Sequence, residues 1–292
     1  MKAMTDMTYL MILSVLTASV YSCILNRTKV SAKNEVLTFN LMCSLVWFVI
    51  LFLINGATIK LNAQTLIWGC IYGTVQSLFI FFKTKAMSTG SVAVTTLVGN
   101  SSLLLSVAVS LIIWKETVGI WDIAGLILLC VSIFLCTHKK SEADYLPSWK
   151  YYVVLFLIFA AAVGITFKAF GKSSSAQYSS DMMAVSALVM TLFYFAGCMF
   201  GGGVRVKNPA CGNIAKFCAA ALISGVLSCL YNRLNIYLSA NLDAIIFFPF
   251  FNGGVVLVST ILGICICRER LAKKQLLGIV LGIASICIIG IL

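Results

Sequence analysis

Ten long apolar runs separated by short charged connections leave this chain few ways to fold. They lie near residues 7–25, 36–54, 64–82, 91–113, 119–136, 151–170, 181–200, 213–232, 241–266 and 275–292. A helix needs about 20 mostly apolar residues to cross a bilayer, and each run is close to that length. A porin-type barrel would instead show segments of roughly ten residues with alternating polarity. These runs are apolar throughout, so they read as helices, which satisfy their own backbone hydrogen bonds in lipid. Charge collects between them, as at 26–33, 83–85, 115–116 and 268–274, and the longest polar stretch, 138–150, falls near the middle. With 61% apolar and only 10% charged residues, the chain has too few charges to clothe a water-facing surface. The sequence therefore predicts an all-α integral membrane protein with ten transmembrane helices, multi-pass in the inner or plasma membrane. Soluble enzymes, disordered proteins and nucleic-acid-binding modules are excluded.

The formal charge of +12 would suggest nucleic acid in a soluble protein. Here the bases sit between spans and suit anionic headgroups. The expected partners are the lipid bilayer and a small-molecule substrate, not nucleic acid. Lys2 ahead of an apolar run resembles a signal peptide. The first run is read as an uncleaved span because the second half holds a counterpart. The twelve cysteines fall mostly inside apolar runs, as Cys43, Cys130, Cys229 and Cys287 do. There they act as small buried hydrophobes. The single histidine, His138, sits in the central polar stretch, so no metal site is expected. No cofactor is expected either.

The chain repeats itself. Lys115-Glu116 recurs 153 positions later as Arg268-Glu269. In the same register Gly125 pairs with Gly278, Leu128 with Leu281, Ser132 with Ser285, Ile133 with Ile286 and Ser106 with Ser259. A basic-Glu pair and a glycine in one register are hard to obtain by chance. The duplication divides the chain into a first five-helix unit, 1–140, and a second, 141–292. Five is odd, so the second unit must enter the membrane from the opposite side. The two are then inverted repeats about an axis in the membrane plane, the plan of many secondary transporters.

Two stretches carry a family resemblance. One is Ser88-Thr89-Gly90-Ser91-Val92-Ala93 running on to Trp114-Lys115-Glu116-Thr117. The other is Leu238-Ser239-Ala240-Asn241-Leu242-Asp243-Ala244 running on to Arg268-Glu269-Arg270-Leu271. With ten helices in two five-helix halves, the chain resembles the drug/metabolite transporter superfamily, in particular its EamA-type carriers. The resemblance covers nearly the whole chain. It implies alternating-access transport of a small polar metabolite, amino acid or drug through a cavity between the halves. The first half has Gly99-Asn100 where a proline-bearing break is expected, so its fourth helix should be straighter. The first run holds no acidic residue, unlike the small multidrug-resistance branch. Neutral or zwitterionic cargo therefore fits better than a cation.

A glycine- or proline-interrupted helix at matching positions of both halves is the best pointer to a transporter site. Val98-Gly99-Asn100-Ser101-Ser102 and Phe248-Pro249-Phe250-Phe251-Asn252-Gly253-Gly254 fit. Pro249 marks the helix break. The substrate-binding candidates are Asn100, Asn252, Gly99 and Gly253, with Gln76, Ser77, Tyr231 and Asn232. Tyr21 and Ser22 are weaker ones. Facing lipid, such amides would be costly. They either line a cavity or bond neighbouring helices, and Tyr231 and Asn232 also suit a headgroup interface. Of Phe247, Phe248, Phe250 and Phe251, at least two are expected to face lipid. Lys168 and Arg233 lie near helix ends. There they snorkel to the headgroups or clamp an anion at the cavity mouth. Asp243 opens the ninth helix, as a dipole-complementing cap or an ion-coupling group. Glu116 and Glu269 are read as local ion pairs or caps.

The chain carries no HExxH, GxSxG or Gly-x-x-x-x-Gly-Lys-Ser/Thr stretch, so an enzyme or ATP-driven pump is not expected. A channel or a non-transporting membrane sensor or scaffold is the alternative. Six of the 21 Lys and Arg fall on the side of the termini. The positive-inside rule then places both termini outside, whereas the resemblance implies the cytoplasm.

Overall fold

The computed structural model describes residues 2–28, 33–56, 58–89, 99, 101–115, 119–137, 149–201, 213–267 and nine positions between 274 and 288. Nine α-helices run through the described residues: α1 Lys2–Thr28, α2 Lys33–Ile54, α3 Ala63–Thr89, α4 Ser102–Trp114, α5 Ile120–Thr137, α6 Trp149–Gly171, α7 Ser179–Phe200, α8 Ile214–Asn241 and α9 Ala244–Cys267. The described positions from 274 onward are helical too.

The ends follow local chemistry. Asn62 starts α3, its side-chain oxygen accepting from the Thr65 amide at 2.7 Å. Asn213 starts α8, accepting from the Ala215 amide at 3.1 Å. Both are favoured N-cap residues. Lys115 closes α4 in the left-handed region, with φ 51°. Gly99 is helical, Ser101 is a turn residue and α4 starts at Ser102, so a turn interrupts helix inside the fourth apolar run.

Among the described residues, six helices are long and apolar enough to cross a membrane, at Met7–Leu25, Asn34–Ile54, Ala63–Ala86, Trp149–Gly171, Ala176–Phe200 and Ile214–Asn241. Shorter apolar stretches lie at Ser102–Trp114, Ile123–Ser132 and Ala244–Val258. The polarity pattern agrees. Ile67, Ile71, Ile112, Leu192, Phe195, Leu222 and Ile223 stand exposed on the outside. Ser14, Gln76, Lys168, Asn232 and Asn235 are buried inside. A rim of this kind would aggregate in water and is at home in lipid. The protein is an all-helical, multi-pass membrane protein.

Two apolar cores hold the helices together. The larger joins α2, α3, α6, α7 and α8 through Trp47, Leu51, Tyr72, Phe170, Met183, Tyr194 and Ile236. The second joins α1, α4, α5, α8 and α9 through Met11, Leu103, Leu129, Leu238, Phe247 and Leu257. Neighbours follow a reciprocal scheme. Helix α3 packs on α6 and α7, and α8 packs on α1 and α2. Helix α1 meets α9, α6 meets α4, and α2 meets α7.

Two seams depend on the absence of a side chain. A Cβ on Gly73 would stand 2.7 Å from the Ser186 carbonyl oxygen of α7. One on Gly225 would stand 2.7 Å from Val46 Cβ of α2. Small residues let helix backbones approach closely in membranes.

Farther out, the Ser132 hydroxyl donates to the Gly278 carbonyl at 2.6 Å, and the Ser285 hydroxyl donates to the Gly125 carbonyl at 2.8 Å. These are the serine and glycine pairs of the 153-residue repeat, each serine reaching the other's glycine.

Candidate functional site

A cavity of about 220 Å³ opens between six helices. Its walls come from Tyr21 and Ser22 of α1, Gln76, Phe79 and Lys83 of α3, and Gly99 with Ser102 and Ser106 of α4. Phe156, Gly164 and Phe167 of α6, Tyr231, Asn232 and Asn235 of α8, and Phe247, Phe248, Phe251 and Asn252 of α9 complete it. No described residue of α2 or α7 lines it.

Helical spacing explains who faces inward. Gln76, Phe79 and Lys83 recur every three or four residues, as do Asn232 and Asn235, so each set shares one helix face. Phe247, Phe248 and Phe251 also share a face of α9, and all three line the cavity. Phe250 points off that face and is only partly buried against the second core. Three of the four phenylalanines thus turn inward, where the sequence predicted at least two in lipid.

The polar walls divide into engaged and unengaged groups. The Tyr72 hydroxyl donates to Asn232 Oδ1 at 2.9 Å, and Asn232 Nδ2 donates to the Ser228 carbonyl at 2.8 Å. Ser14 Oγ donates to Asn235 Oδ1 at 2.5 Å. Asn252 Nδ2 donates to the Phe248 carbonyl at 2.9 Å. Asn232 therefore both lines the cavity and ties α8 to α3. By contrast Gln76 Oε1 is buried and has no hydrogen-bond partner in the structure. A buried acceptor left so costs about 1–3 kcal/mol.

An aromatic wall runs along one side. The Tyr21 and Tyr231 rings lie 5.8 Å apart, Tyr231 stacks on Phe251 at 6.3 Å, and Phe251 stacks on Phe247 at 6.0 Å. Lys83 extends its ammonium over two rings, 6.0 Å from the Tyr21 centroid and 5.8 Å from that of Phe79. That is cation–π distance.

The sequence candidates are distributed as follows. Gln76, Gly99, Tyr231, Asn232 and Asn252 line the cavity, as do Tyr21 and Ser22. Any side chain on Gly99 would collide with the Phe156 ring. Ser77 is buried one step away. Its hydroxyl donates to the Gly73 carbonyl at 2.7 Å, and its own carbonyl accepts from Tyr194 at 3.1 Å. Gly253 faces Leu129 of α5 instead, a Cβ there lying 2.6 Å from Leu129 Cδ1. Pro249 lies inside α9 and is buried. It removes one backbone donor and frees the carbonyl a turn earlier.

The charged candidates lie elsewhere. Lys168 does not snorkel. It is fully buried in the last turn of α6, and its ammonium donates to the Leu242 carbonyl at 3.2 Å, where α8 ends. A cation there complements the helix dipole, so Lys168 closes α8 and stays out of the cavity wall. Arg233 is exposed, next to Asn232 on α8 but turned to another face. Asp243 is exposed at the start of α9, its carbonyl accepting from the Ile246 and Phe247 amides at 3.1 and 2.9 Å. Asn100, Glu116 and Glu269 lie outside the described residues.

Sequence reasoning misses several wall residues, Lys83 and Asn235 among them. Lys83 reads as part of the connection after the third run, yet α3 continues to Thr89. The spacing Gln76, Phe79, Lys83 is the signal that could have found it. Among the described residues, no three His, Cys, Asp or Glu side chains gather to hold a metal ion.

No family model matches the sequence. An uncharacterized protein of Haemophilus influenzae is 23% identical over 220 residues, 73% of this chain and 70% of that protein. A solved crystal structure superimposes with a TM-score of 0.75 over 97% of this chain and 96% of that one, at 13% identity. This likeness is one of fold.

Proposed function

We propose that the protein is a secondary transporter of the inner or plasma membrane, moving a small polar solute by alternating access. Two inverted five-helix halves, 1–140 and 141–292, related as in EamA-type carriers, would carry out the exchange. The observation that carries this reading is the cavity, metabolite-sized and amide-bearing, inside a bundle that is apolar on its outside. Such concave sites with a few polar groups are where small molecules bind.

The repeat supports the inverted arrangement. The 153-residue register matches α2 to α7, α3 to α8 and α4 to α9, and leaves α1 opposite α6. Under that exchange, α3 on α6 and α7 becomes α8 on α1 and α2, and α1 on α9 becomes α6 on α4. The Ser132–Gly278 and Ser285–Gly125 bonds interchange as well. That is the signature of a self-complementary contact about a two-fold axis. Each half would supply its first, third and fourth helices to the cavity. Helix α9 runs unbroken through Pro249, but the missing backbone donor there is a weak point that suits a site whose helices change shape between outward- and inward-open states.

Counter-flow in liposomes tests this. Purified protein is reconstituted with a preloaded pool of metabolites and amino acids, and each labelled compound is offered outside. Saturable accumulation of one chemical class, lost in Asn252→Ala, supports the carrier. Non-saturable flux would indicate a channel. Absence of exchange by folded protein that still binds a pool compound would refute transport and favour a sensor.

A further inference from the structure

We propose that the cavity selects a small organic monoanion, a hydroxycarboxylate with an apolar body, and that Lys83 anchors its carboxylate. This rests on the cavity being the substrate site and names the class of cargo. It differs from the neutral or zwitterionic cargo that the sequence suggested, because the sequence placed Lys83 outside the membrane.

The argument starts from charge. Lys83 is the only charged residue among the described residues lining the cavity. Its ammonium touches two aromatic rings, and no described carboxylate pairs with it. An ionisable side chain inside a membrane bundle is costly unless compensated, and usually marks a ligand pathway. A net anion would neutralise this charge; a zwitterion would leave one positive charge over. One ammonium suits a monocarboxylate. A phosphate ester, with nearly two charges, favours several cations or a bidentate arginine.

Two further groups shape the ligand. Side chains on a helix lean towards its N-terminus, which brings the Lys83 ammonium back to Phe79 and towards Gln76. Gln76 and Lys83 stand seven residues, about two turns, apart on the cavity face of α3. A ligand whose carboxylate meets the Lys83 ammonium can turn a hydroxyl towards Gln76. The buried, unpartnered Gln76 Oε1 asks for a donor, which a hydroxyl supplies. The Tyr21, Tyr231, Phe251 and Phe247 rings offer a face to the apolar body.

Four compounds with one aromatic body test the proposal on the full-length protein in detergent, by calorimetric titration. They are 3-phenyllactate, phenylalanine, 3-phenyl-1,2-propanediol and phenyl phosphate. The expected order puts 3-phenyllactate first, with the uncharged diol weaker by roughly 10- to 100-fold, the worth of a charge-assisted hydrogen bond. Lys83→Met should lose that preference and Lys83→Arg should keep most of it. Lys83→Met should also raise the apo melting temperature, since it removes a buried charge; a purely structural lysine would lower it. Equal binding of acid and diol, tighter binding of phenylalanine or phenyl phosphate, or no binding of 3-phenyllactate overturns the proposal. So does Lys83→Met binding that matches the unmodified protein. The order among the four compounds stands as a test even if Lys83→Met fails to fold. Counter-flow separates this from the carrier reading. Exchange of neutral solutes alone refutes the anion site and leaves the carrier, and anion binding without exchange does the reverse.

Discussion

Replacing Gly73 by alanine should loosen the close seam between α3 and α7. The added Cβ would stand 2.7 Å from the Ser186 carbonyl oxygen, 3.0 Å from Ser186 Cα and 2.9 Å from Val189 Cβ. Two of these three atoms are backbone of α7. They cannot swing aside as a side-chain end would, so α3 and α7 must separate. Overpacking of this kind costs about 1–3 kcal/mol. Alanine recovers about 1 kcal/mol through its higher helix propensity. The net expectation is a loss of up to about 2 kcal/mol. Gly225→Ala should lose a similar amount at the α8–α2 seam, where Val46 Cβ and Cγ1 lie at 2.7 and 2.9 Å and the Cys43 carbonyl at 3.1 Å. Gly197→Ala is the control. Its new Cβ meets only the Leu37 side chain, the nearest methyl at 3.1 Å. A methyl end can give, so propensity wins and stability should hold or rise by up to about 1 kcal/mol. Unfolding in mixed detergent–SDS micelles, followed by tryptophan fluorescence, measures all three. Gly73→Ala as stable as Gly197→Ala would refute the reasoning, because it would mean that the α3–α7 backbone contact is not fixed.

Lys168→Met should destabilise the protein by about 1–3 kcal/mol in the same unfolding assay, since it removes the charged donor to the Leu242 carbonyl at the end of α8. Binding of the cavity ligand should change less than twofold, because Lys168 does not line the site. Pro249→Ala restores a backbone donor inside α9 and removes a helix-breaking ring. It should raise stability while lowering the counter-flow rate several-fold, and unchanged flux would show that the proline is not used.

The sequence discloses helical content and membrane class because lipid demands long, continuously apolar helices, and such runs are easily read. Helix ends are harder where polarity is internal. The third apolar run ends at 82 and the eighth at 232, yet α3 reaches Thr89 and α8 reaches Asn241. In both, polar residues that look like the water interface continue the helix, and some face the cavity. Lys83 and Asn235 are examples. Single amides in apolar runs, Gln76, Asn232 and Asn252, line the cavity because lipid excludes them. Gly253 does not. Position on a broken stretch brings a residue near the site, but helix rotation decides which side it meets, and packing partners such as Leu129 set that rotation. Lys168 and Arg233 look alike in sequence. One ends up capping a helix and the other exposed, because the difference lies in which helix end stands opposite.

That α2 and α7 contribute no described residue to the cavity divides the chain's mutational freedom. The residues that join these two helices to each other and to their neighbours, such as Trp47, Leu51, Met183 and Tyr194, answer to packing alone. The cavity residues sit on the other helices and answer to ligand chemistry. Descendants of such a chain can exchange Tyr21, Phe251 or Asn252 and drift to new solutes while this seam between α2 and α7 stays constant. One scaffold can in this way diversify across lineages until overall identity is low and the shape of the bundle is what persists.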